Sequence, residues 1–150
     1  MRLRDFLEPE AIVLDLAATG REAALYELAG RLRLGERAAQ TVVRQLMRRE
    51  LLGSTGFGSG VAIPHCRTLA VGRLRVAVGV HRGGIDFQAA DGKPVHLIFL
   101  IVAPPQEVSN QYLPVLGRIA QFVHDPEGPA RLRQARTPEE VLALLEARGV

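Results

Sequence analysis

The sequence predicts an α/β fold, in which a mixed central β-sheet of about four or five strands is flanked by helices on both faces. Three observations indicate this. Residues 95–102 form a nearly continuous apolar run rich in β-branched residues, typical of a strand covered on both faces. Residues 19–52 contain two apolar patterns of helical period, and glycine or proline clusters separate the remaining segments. A chain of 150 residues fits one domain, residues 1–150.

The first third of the chain predicts an extended piece over residues 11–16 and then two helices. Thr19 is the predicted N-cap of the first helix, with Glu22 completing a capping box and Gly35 ending it. The second helix is predicted over about residues 36–52, with Gly53 as its stop. The predicted buried faces are Ala24, Leu25, Leu28, Ala29 and Leu32 in the first helix, and Ala39, Val42, Val43, Leu46 and Met47 in the second.

The rest of the chain predicts two long strands and three helices. Residues 73–81 alternate like a strand and lead to a turn at Gly83-Gly84, and residues 95–102 form the second strand. Ser109 or Asn110 is predicted to cap a helix, a short helix is predicted over about residues 126–134, and Thr137 opens the last one. The helix after Asn110 is predicted to bury Leu113, Leu116, Ile119, Ala120 and Val123.

Composition restricts the class of protein. Apolar residues make up 47% and charged residues 23%, and no apolar run approaches the roughly 20 residues that cross a bilayer. The net charge is only +3 and the basic residues alternate with acidic ones, which disfavours nucleic acid as a partner. A single cysteine, Cys66, fits a reducing compartment, so we expect a cytoplasmic protein.

A glycine-rich run followed by a histidine is the most informative stretch. Four glycines fall within residues 53–60, where backbone N–H groups can converge on an anion. Pro64 fixes its own φ and favours an extended Ile63, so the backbone that leads to His65 is conformationally restricted. We hypothesise that His65 is a nucleophile that carries a phosphoryl group, although a histidine at a strand end is also compatible with a structural role.

An arginine at the junction before this run suits the same chemistry. Arg49 ends the second predicted helix, and a planar guanidinium grips phosphate oxygens well. A surface charge cluster at a helix C-terminus is the alternative. The loop lacks the Lys-Ser/Thr of a nucleotide-binding P-loop, and the histidines and Cys66 show no metal-binding spacing, so no metal or organic cofactor is predicted.

The run Arg49-Glu50-x-x-Gly53-Ser54-Thr55-Gly56-Phe57-Gly58-x-Gly60-Val61-Ala62-Ile63-Pro64-His65 resembles the phosphorylation-site signature of enzyme IIA proteins of the bacterial phosphotransferase system. The resemblance is to the fructose/mannitol group, most closely its nitrogen-regulatory members. It extends over nearly the whole chain, as in residues 3–7, 84–87, 91–95 and 100–104. It implies that family's fold, a mixed sheet between helices.

The resemblance also implies roles for individual residues. His65 would accept phosphate from the phosphohistidine of HPr or its nitrogen-branch counterpart, and Arg49 would stabilise it. We further hypothesise, from the residue types themselves, that the hydroxyls of Ser54 or Thr55 and the loop N–H groups hold the phosphoryl oxygens together with Arg49. Tyr112 stands where the family has a second histidine and Cys66 where glycine is usual, so transfer by this chain could be slower.

Three functions therefore remain open at this level. The first is a regulatory phosphoryl carrier that controls partner proteins according to its phosphorylation state. The second is a sugar-specific enzyme IIA that passes phosphate to the IIB domain of a transporter. The third is an unphosphorylated scaffold, which the tyrosine at position 112 leaves possible. A monomer or weak dimer fits all three.

Overall fold

A six-stranded mixed sheet forms the middle layer of the protein, whose computed structural model describes residues 2–150. The strands are β1 (Ile12–Val13), β2 (Gly56–Gly58), β3 (Val61–Ala62), β4 (His65–Arg67), β5 (Arg75–Ile85) and β6 (Val95–Ala103). Their order is β1-β5-β6-β3-β2, and β4 also pairs with β6. Both β3 and β4 run parallel to β6 and pair with successive parts of it, so together they occupy one strand position in the sheet.

Five helices cover the sheet on both of its faces. They are α1 (Arg21–Gly30), α2 (Glu36–Leu52), α3 (Tyr112–His124), α4 (Glu127–Arg133) and α5 (Pro138–Ala147), and two 3-10 turns, Leu3–Asp5 and Pro9–Ala11, precede β1. Phe99 of β6 meets Phe122 of α3, with ring centroids 6.0 Å apart. Its neighbour Ile98 pairs with Gly79, and the side chain of Leu28 from α1 lies against that glycine. Phe99 and Ile98 are adjacent in β6 and therefore face opposite sides of the sheet, so α3 covers one face and α1 covers the other. This confirms the predicted arrangement, in which the sheet lies between two layers of helices.

The central strands are buried on both faces. Residues 97–103 of β6 have no exposed surface, as the apolar run predicts, and residues 76–80 of β5 are also buried. A Cβ on Gly79 would lie 2.7 Å from Leu16 Cδ1 and 3.0 Å from Leu28 Cδ2. Glycine therefore allows α1 to approach the sheet closely at this point.

The predicted turn at Gly83-Gly84 is wrong. Strand β5 continues through both glycines to Ile85, with an irregular register against β6 between Val80 and Ile85. Gly84 has φ of +87° there, a value that glycine adopts without strain. The two glycines accommodate a bulge within a long antiparallel pair, which local turn chemistry cannot distinguish from a hairpin.

Helix caps were predicted with mixed success. Thr137 accepts a hydrogen bond from the Glu140 N–H at 3.2 Å, so the predicted cap of α5 is confirmed. The predicted cap at Thr19 is wrong: α1 begins after Gly20 and ends at Gly30. Helix α3 begins after Gln111, so neither Ser109 nor Asn110 is its N-cap.

Candidate functional site

His65 is the first residue of β4 and is held firmly in the sheet. It pairs with Ile101 of β6, and the carbonyl of the preceding Pro64 accepts the Ile101 N–H at 3.0 Å. The ring Nδ1 lies 2.7 Å from the carbonyl oxygen of Ile63. A carbonyl can only accept, so Nδ1 carries the proton, and in the neutral ring Nε2 keeps its lone pair. The backbone therefore selects the tautomer in which Nε2 is the nucleophilic nitrogen.

The half-buried imidazole of His65 borders a surface cavity of about 210 Å³. The cavity lies between the glycine-rich run, the end of α2 and one side of α3. Its lining residues are Arg49, Thr55, Phe57, Ile63, His65, Leu116 and Ala120. A nucleophile and a cation thus share a small hollow with largely apolar walls, where charge interactions are stronger than in bulk water.

Arg49 reaches this cavity from the last turn of α2. Its Nη1 donates to the carbonyl oxygen of Gly53 at 2.6 Å, which ties the guanidinium to the start of the glycine-rich run. One of its five N–H groups is used in this contact, and the others remain for an anion. The structure therefore brings together Arg49 and His65, the two residues that the sequence singled out.

The hydroxyl groups of Ser54 and Thr55 are engaged inside the protein. Ser54 Oγ donates to the Phe87 carbonyl at 2.8 Å and accepts the Gly56 N–H at 2.9 Å. Thr55 Oγ1 donates to the buried carboxylate of Glu50 at 2.8 Å. Each hydroxyl has one proton to donate, so in this arrangement both side chains shape the loop. Their contact with phosphate stays a prediction.

Tyr112 lies beside His65, with ring centroids 6.5 Å apart, and is 7% exposed. The guanidinium carbon of Arg67 stands 4.3 Å from the centroid of the tyrosine ring. Burial raises the pKa of Tyr112 to about 12, and the positive charges of Arg67 and Arg49 oppose this rise. The side chain at this position is therefore neutral at physiological pH and can offer a hydrogen bond but no charge of its own.

Cys66 faces away from this site. It follows His65 in β4, so its side chain projects to the opposite side of the sheet, where it is buried. Burial raises the pKa of the thiol to about 12. A thiol that is protonated and directed away from the cavity is a poor nucleophile, so Cys66 is not placed to act together with His65.

Three residues of this region, Glu50, Arg67 and Phe57, have no role predicted from the sequence. Glu50 anchors Thr55, Arg67 stacks on Tyr112, and Phe57, with 47% of its surface exposed, forms part of the cavity wall. Glu50 did carry a signal, because an acid in the last turn of a helix opposes the helix dipole and needs a compensating contact. Arg67 carried one too: it is two residues after His65 and therefore on the same face of a strand.

The helix bordering the cavity is rotated relative to the prediction. Ile119 and Val123 are buried as predicted, but Leu113, also expected in the core, is 66% exposed. The buried face of α3 consists of Tyr112, Val115, Ile119, Phe122 and Val123. Leu116 and Ala120, also expected in the core, line the cavity. Hydrophobic spacing alone could not separate a stripe facing the core from one facing the site.

Two further features complete the description of residues 2–150. No group of three or more His, Cys, Asp or Glu side chains in this range is placed to hold a metal ion. None of the helices in the same range combines the length and apolar character needed to cross a membrane.

Comparisons with known proteins agree with this geometry. A family model described as "Phosphoenolpyruvate-dependent sugar phosphotransferase system, EIIA 2" matches residues 5–148. A nitrogen regulatory protein of Pseudomonas aeruginosa is 34% identical over 148 residues, which cover 97% of this chain and 95% of that protein. The 2-O-alpha-mannosyl-D-glycerate-specific EIIABC component of Escherichia coli is 32% identical over 152 residues, but the match covers only 23% of that longer protein.

A solved structure extends the agreement to three dimensions. The nitrogen regulatory protein IIA-Ntr from Neisseria meningitidis superposes with a TM-score of 0.84 at 34% identity, and the match covers 94% of this chain and 97% of that one. The family model, the relatives and the shared fold all agree with the resemblance seen in the sequence. The chain therefore belongs to the EIIA type 2 family of the phosphoenolpyruvate-dependent sugar phosphotransferase system.

Proposed function

We propose that this protein is a phosphoryl carrier that accepts phosphate on Nε2 of His65 and regulates partner proteins according to its phosphorylation state. The donor is the phosphohistidine of HPr or of an HPr-like carrier of the nitrogen branch. The observation that carries the proposal is the 2.7 Å contact of His65 Nδ1 with the Ile63 carbonyl. It directs the lone pair of a neutral imidazole to Nε2, in a ring that shares its cavity with Arg49.

The transfer itself exchanges one phosphorus–nitrogen bond for another. As Nε2 of His65 bonds to phosphorus, the bond to the donor imidazole breaks and the donor ring leaves with the electron pair. The proton on Nδ1 stays in place and continues to donate to Ile63, which stabilises the positive charge that develops on the ring. Because the transition state is loose, positioning and charge stabilisation supply most of the catalysis.

Arg49 provides the charge in this scheme. The phosphoryl group brings roughly −1.5 to −2 charges into a small cavity. A guanidinium already fixed by Gly53 can bind two of its oxygens with little further loss of side-chain freedom. We propose that Ser54 and Thr55 support this grip by shaping the loop, and that Tyr112 adds a neutral hydrogen bond.

A protein donor also needs a docking surface, and the elements that border the cavity carry exposed apolar side chains. Leu51 and Leu52, on the last turn of α2 next to Arg49, are 76% and 86% exposed. Phe57 and Leu113 are exposed on the loop and helix that border the cavity. We propose that these four residues, the docking rim (Leu51, Leu52, Phe57 and Leu113), supply apolar contacts to the donor near a charged centre, as in protein interfaces.

The regulatory role is preferred because the nitrogen regulatory relative matches along almost its whole length. The alternative is a sugar-specific enzyme IIA that passes phosphate to a IIB domain, which the identity to a mannosylglycerate EIIABC component supports. In both cases we propose that residues 1–150 act as one domain in the cytoplasm, as a monomer or weak dimer, without a cofactor, a metal or nucleic acid.

Phosphoryl transfer is tested by incubating the protein with phosphoenolpyruvate, enzyme I and either carrier, and then measuring its intact mass. We expect one phosphoryl adduct in the wild type and none in His65→Ala. His124→Ala is the matched control, because His124 is exposed at the far end of α3, and it should be labelled like the wild type. An adduct of equal yield in His65→Ala would refute the assignment.

A second experiment separates the two functions. The phosphorylated protein is purified and mixed with IIB domains of the fructose and mannitol types, and loss of the adduct is followed by mass. A regulatory carrier should keep its phosphate with these acceptors and return it to the HPr-like donor. Rapid transfer to a IIB domain would instead establish the sugar-specific function.

A further inference from the structure

The phosphoryl group proposed for His65 needs more positive charge than Arg49 alone presents. It carries roughly −1.5 to −2 charges, whereas one guanidinium supplies a single positive charge. The neighbouring ring, Tyr112, is neutral and buried, so it contributes none. A second guanidinium, that of Arg67, stands over the face of the Tyr112 ring. Arg67 is therefore a candidate for the additional positive charge.

The position of Arg67 follows from the strand. Residues 65 and 67 of β4 project from the same face of the sheet, and their Cα atoms are separated by roughly 6–7 Å. The guanidinium carbon of Arg67 stands 4.3 Å from the centroid of the Tyr112 ring, and that ring lies 6.5 Å from the His65 ring. Arg67 is thus held next to the same aromatic side chain that borders the histidine.

Two contacts fix the guanidinium without exhausting its donors. Its face rests on Tyr112, and Nη1 donates to the Pro105 carbonyl at 3.2 Å. Four of its five N–H groups are left for an anion. Arg67 is otherwise exposed and makes no ion pair within residues 2–150. A cation that is positioned by an aromatic platform and has no carboxylate partner is available for a phosphate.

We infer that Arg67, held over the ring of Tyr112, is a second cationic ligand for the phosphoryl group on His65. The inference rests on the proposed function, since it concerns the phosphorylated form of that histidine. Arg49 approaches from the end of α2, whereas Arg67 approaches from the end of β4. Tyr112 acts here as the support that positions Arg67, so its aromatic ring matters more than its hydroxyl group.

The test follows the phosphorylated protein, prepared from the same relay, in Arg67→Gln, Arg67→Lys and the control Arg131→Gln. Arg131 is an exposed arginine of α4 that pairs with Glu127. We expect Arg67→Gln to hydrolyse its phosphohistidine about fivefold faster, the scale of one exposed charge contact. Arg67→Lys should fall between that variant and the wild type, and Arg131→Gln should match the wild type.

A phosphorus NMR titration supplies a reading that a purely structural role would not change. A nearby cation favours the dianionic phosphoryl group, so removing Arg67 should raise the pKa of that group. The value should be restored by Arg67→Lys and unaffected by Arg131→Gln. In a Tyr112→Phe background, Arg67→Gln should raise the pKa of the phosphoryl group by the same amount, because phenylalanine keeps the aromatic ring that supports the guanidinium. In a Tyr112→Leu background the rise should be smaller.

The outcomes separate the inference from the proposed function. If the wild type forms no adduct on His65, both fail. If the adduct forms but Arg67→Gln leaves its lifetime and its titration unchanged, the inference is wrong and the proposed function stands. A variant that only slows transfer from the donor, with normal lifetime and titration, would assign Arg67 to partner recognition and would also overturn the inference.

Discussion

The carboxylate of Glu50 accepts two hydrogen bonds from Thr55, one from its backbone N–H at 3.0 Å and one from its hydroxyl at 2.8 Å. Both residues are buried, with exposures of 3% and 9%. The contacts connect the last turn of α2 to the glycine-rich run. They therefore hold Arg49, which directly precedes Glu50, and the cavity wall at Thr55 in fixed positions. A pair of buried polar groups of this kind is costly to leave unsatisfied.

Glu50→Gln should destabilise the protein. The amide can present one oxygen, but its NH₂ group cannot accept from Thr55, so a buried donor loses its partner. We expect the free energy of unfolding to fall by about 1–3 kcal/mol in denaturant titrations. Thr55→Ser, which keeps the hydroxyl, is the matched control and should lose less. Equal stability of Glu50→Gln and the wild type would contradict this account of the loop.

Arg49→Ala should slow phosphoryl transfer to His65 without unfolding the protein. Removing one preorganised charged donor from a transfer site lowers the rate about a hundredfold. Arg49→Lys should be intermediate, because lysine keeps the charge but loses the planar fork. Quench-flow measurement of adduct formation checks this, with the exposed neighbour Arg48→Ala as control. Rates that are the same in Arg48→Ala and Arg49→Ala would remove Arg49 from the site.

Leu113→Asp should weaken docking of the donor carrier while leaving the chemistry intact. Leu113 belongs to the docking rim and is 66% exposed, so its replacement should have little effect on folding. We expect KM for the phosphorylated carrier to rise about tenfold and kcat to change little, as for an interface contact. Tyr26→Asp, at an exposed position of α1, is the control. An unchanged KM would place the carrier elsewhere.

Stability should decline at alkaline pH. Burial raises the pKa of Cys66 from 9.0 to about 12 and that of Tyr112 from 10.0 to about 12. Above pH 9 the unfolded chain releases these protons before the folded one, so the unfolded state binds fewer protons and stability falls as pH rises. The stabilisation is complete below pH 9 and is lost progressively towards pH 12.

Denaturant titrations between pH 8 and pH 11 measure this loss. Each group contributes a slope of at most roughly 1.4 kcal/mol per pH unit. Cys66→Ala should have a shallower slope than the wild type, most clearly between pH 9 and pH 10, where the unfolded chain loses more of the thiol proton than of the Tyr112 proton. Parallel curves for the two proteins would show that the thiol is not shielded as described.

The sequence predicted the layers of the fold well and their details less well. The run at 95–102 and the helical faces of α1 and α2 are dominated by burial, which composition and period report directly. The bulge at Gly83-Gly84 and the rotation of α3 depend on strand pairing and on packing against the sheet. Strand pairing and helix packing are contacts between segments that are distant in the sequence, so the local pattern of residues does not predict them.

The candidate site was predictable in part for the same reason. His65 and Arg49 stand within one continuous motif, and the structure places both at one cavity. Glu50 and Ser54 direct their bonds to Thr55 and to Phe87, a residue 33 positions away from Ser54. The pairing of Arg67 with Tyr112 joins residues 45 positions apart. Such partners become visible only when the chain is folded.

The register of β4 limits how far phosphorylation of His65 could change the structure. His65 is bonded on both sides into the ladder of β6, through Pro64 before it and the paired residues after it. Moving its backbone would require opening the central sheet, which a single phosphate cannot drive. We therefore expect the phosphorylated and unphosphorylated proteins to have nearly the same backbone structure. A partner protein that distinguishes them would then have to respond to the local change in charge at His65.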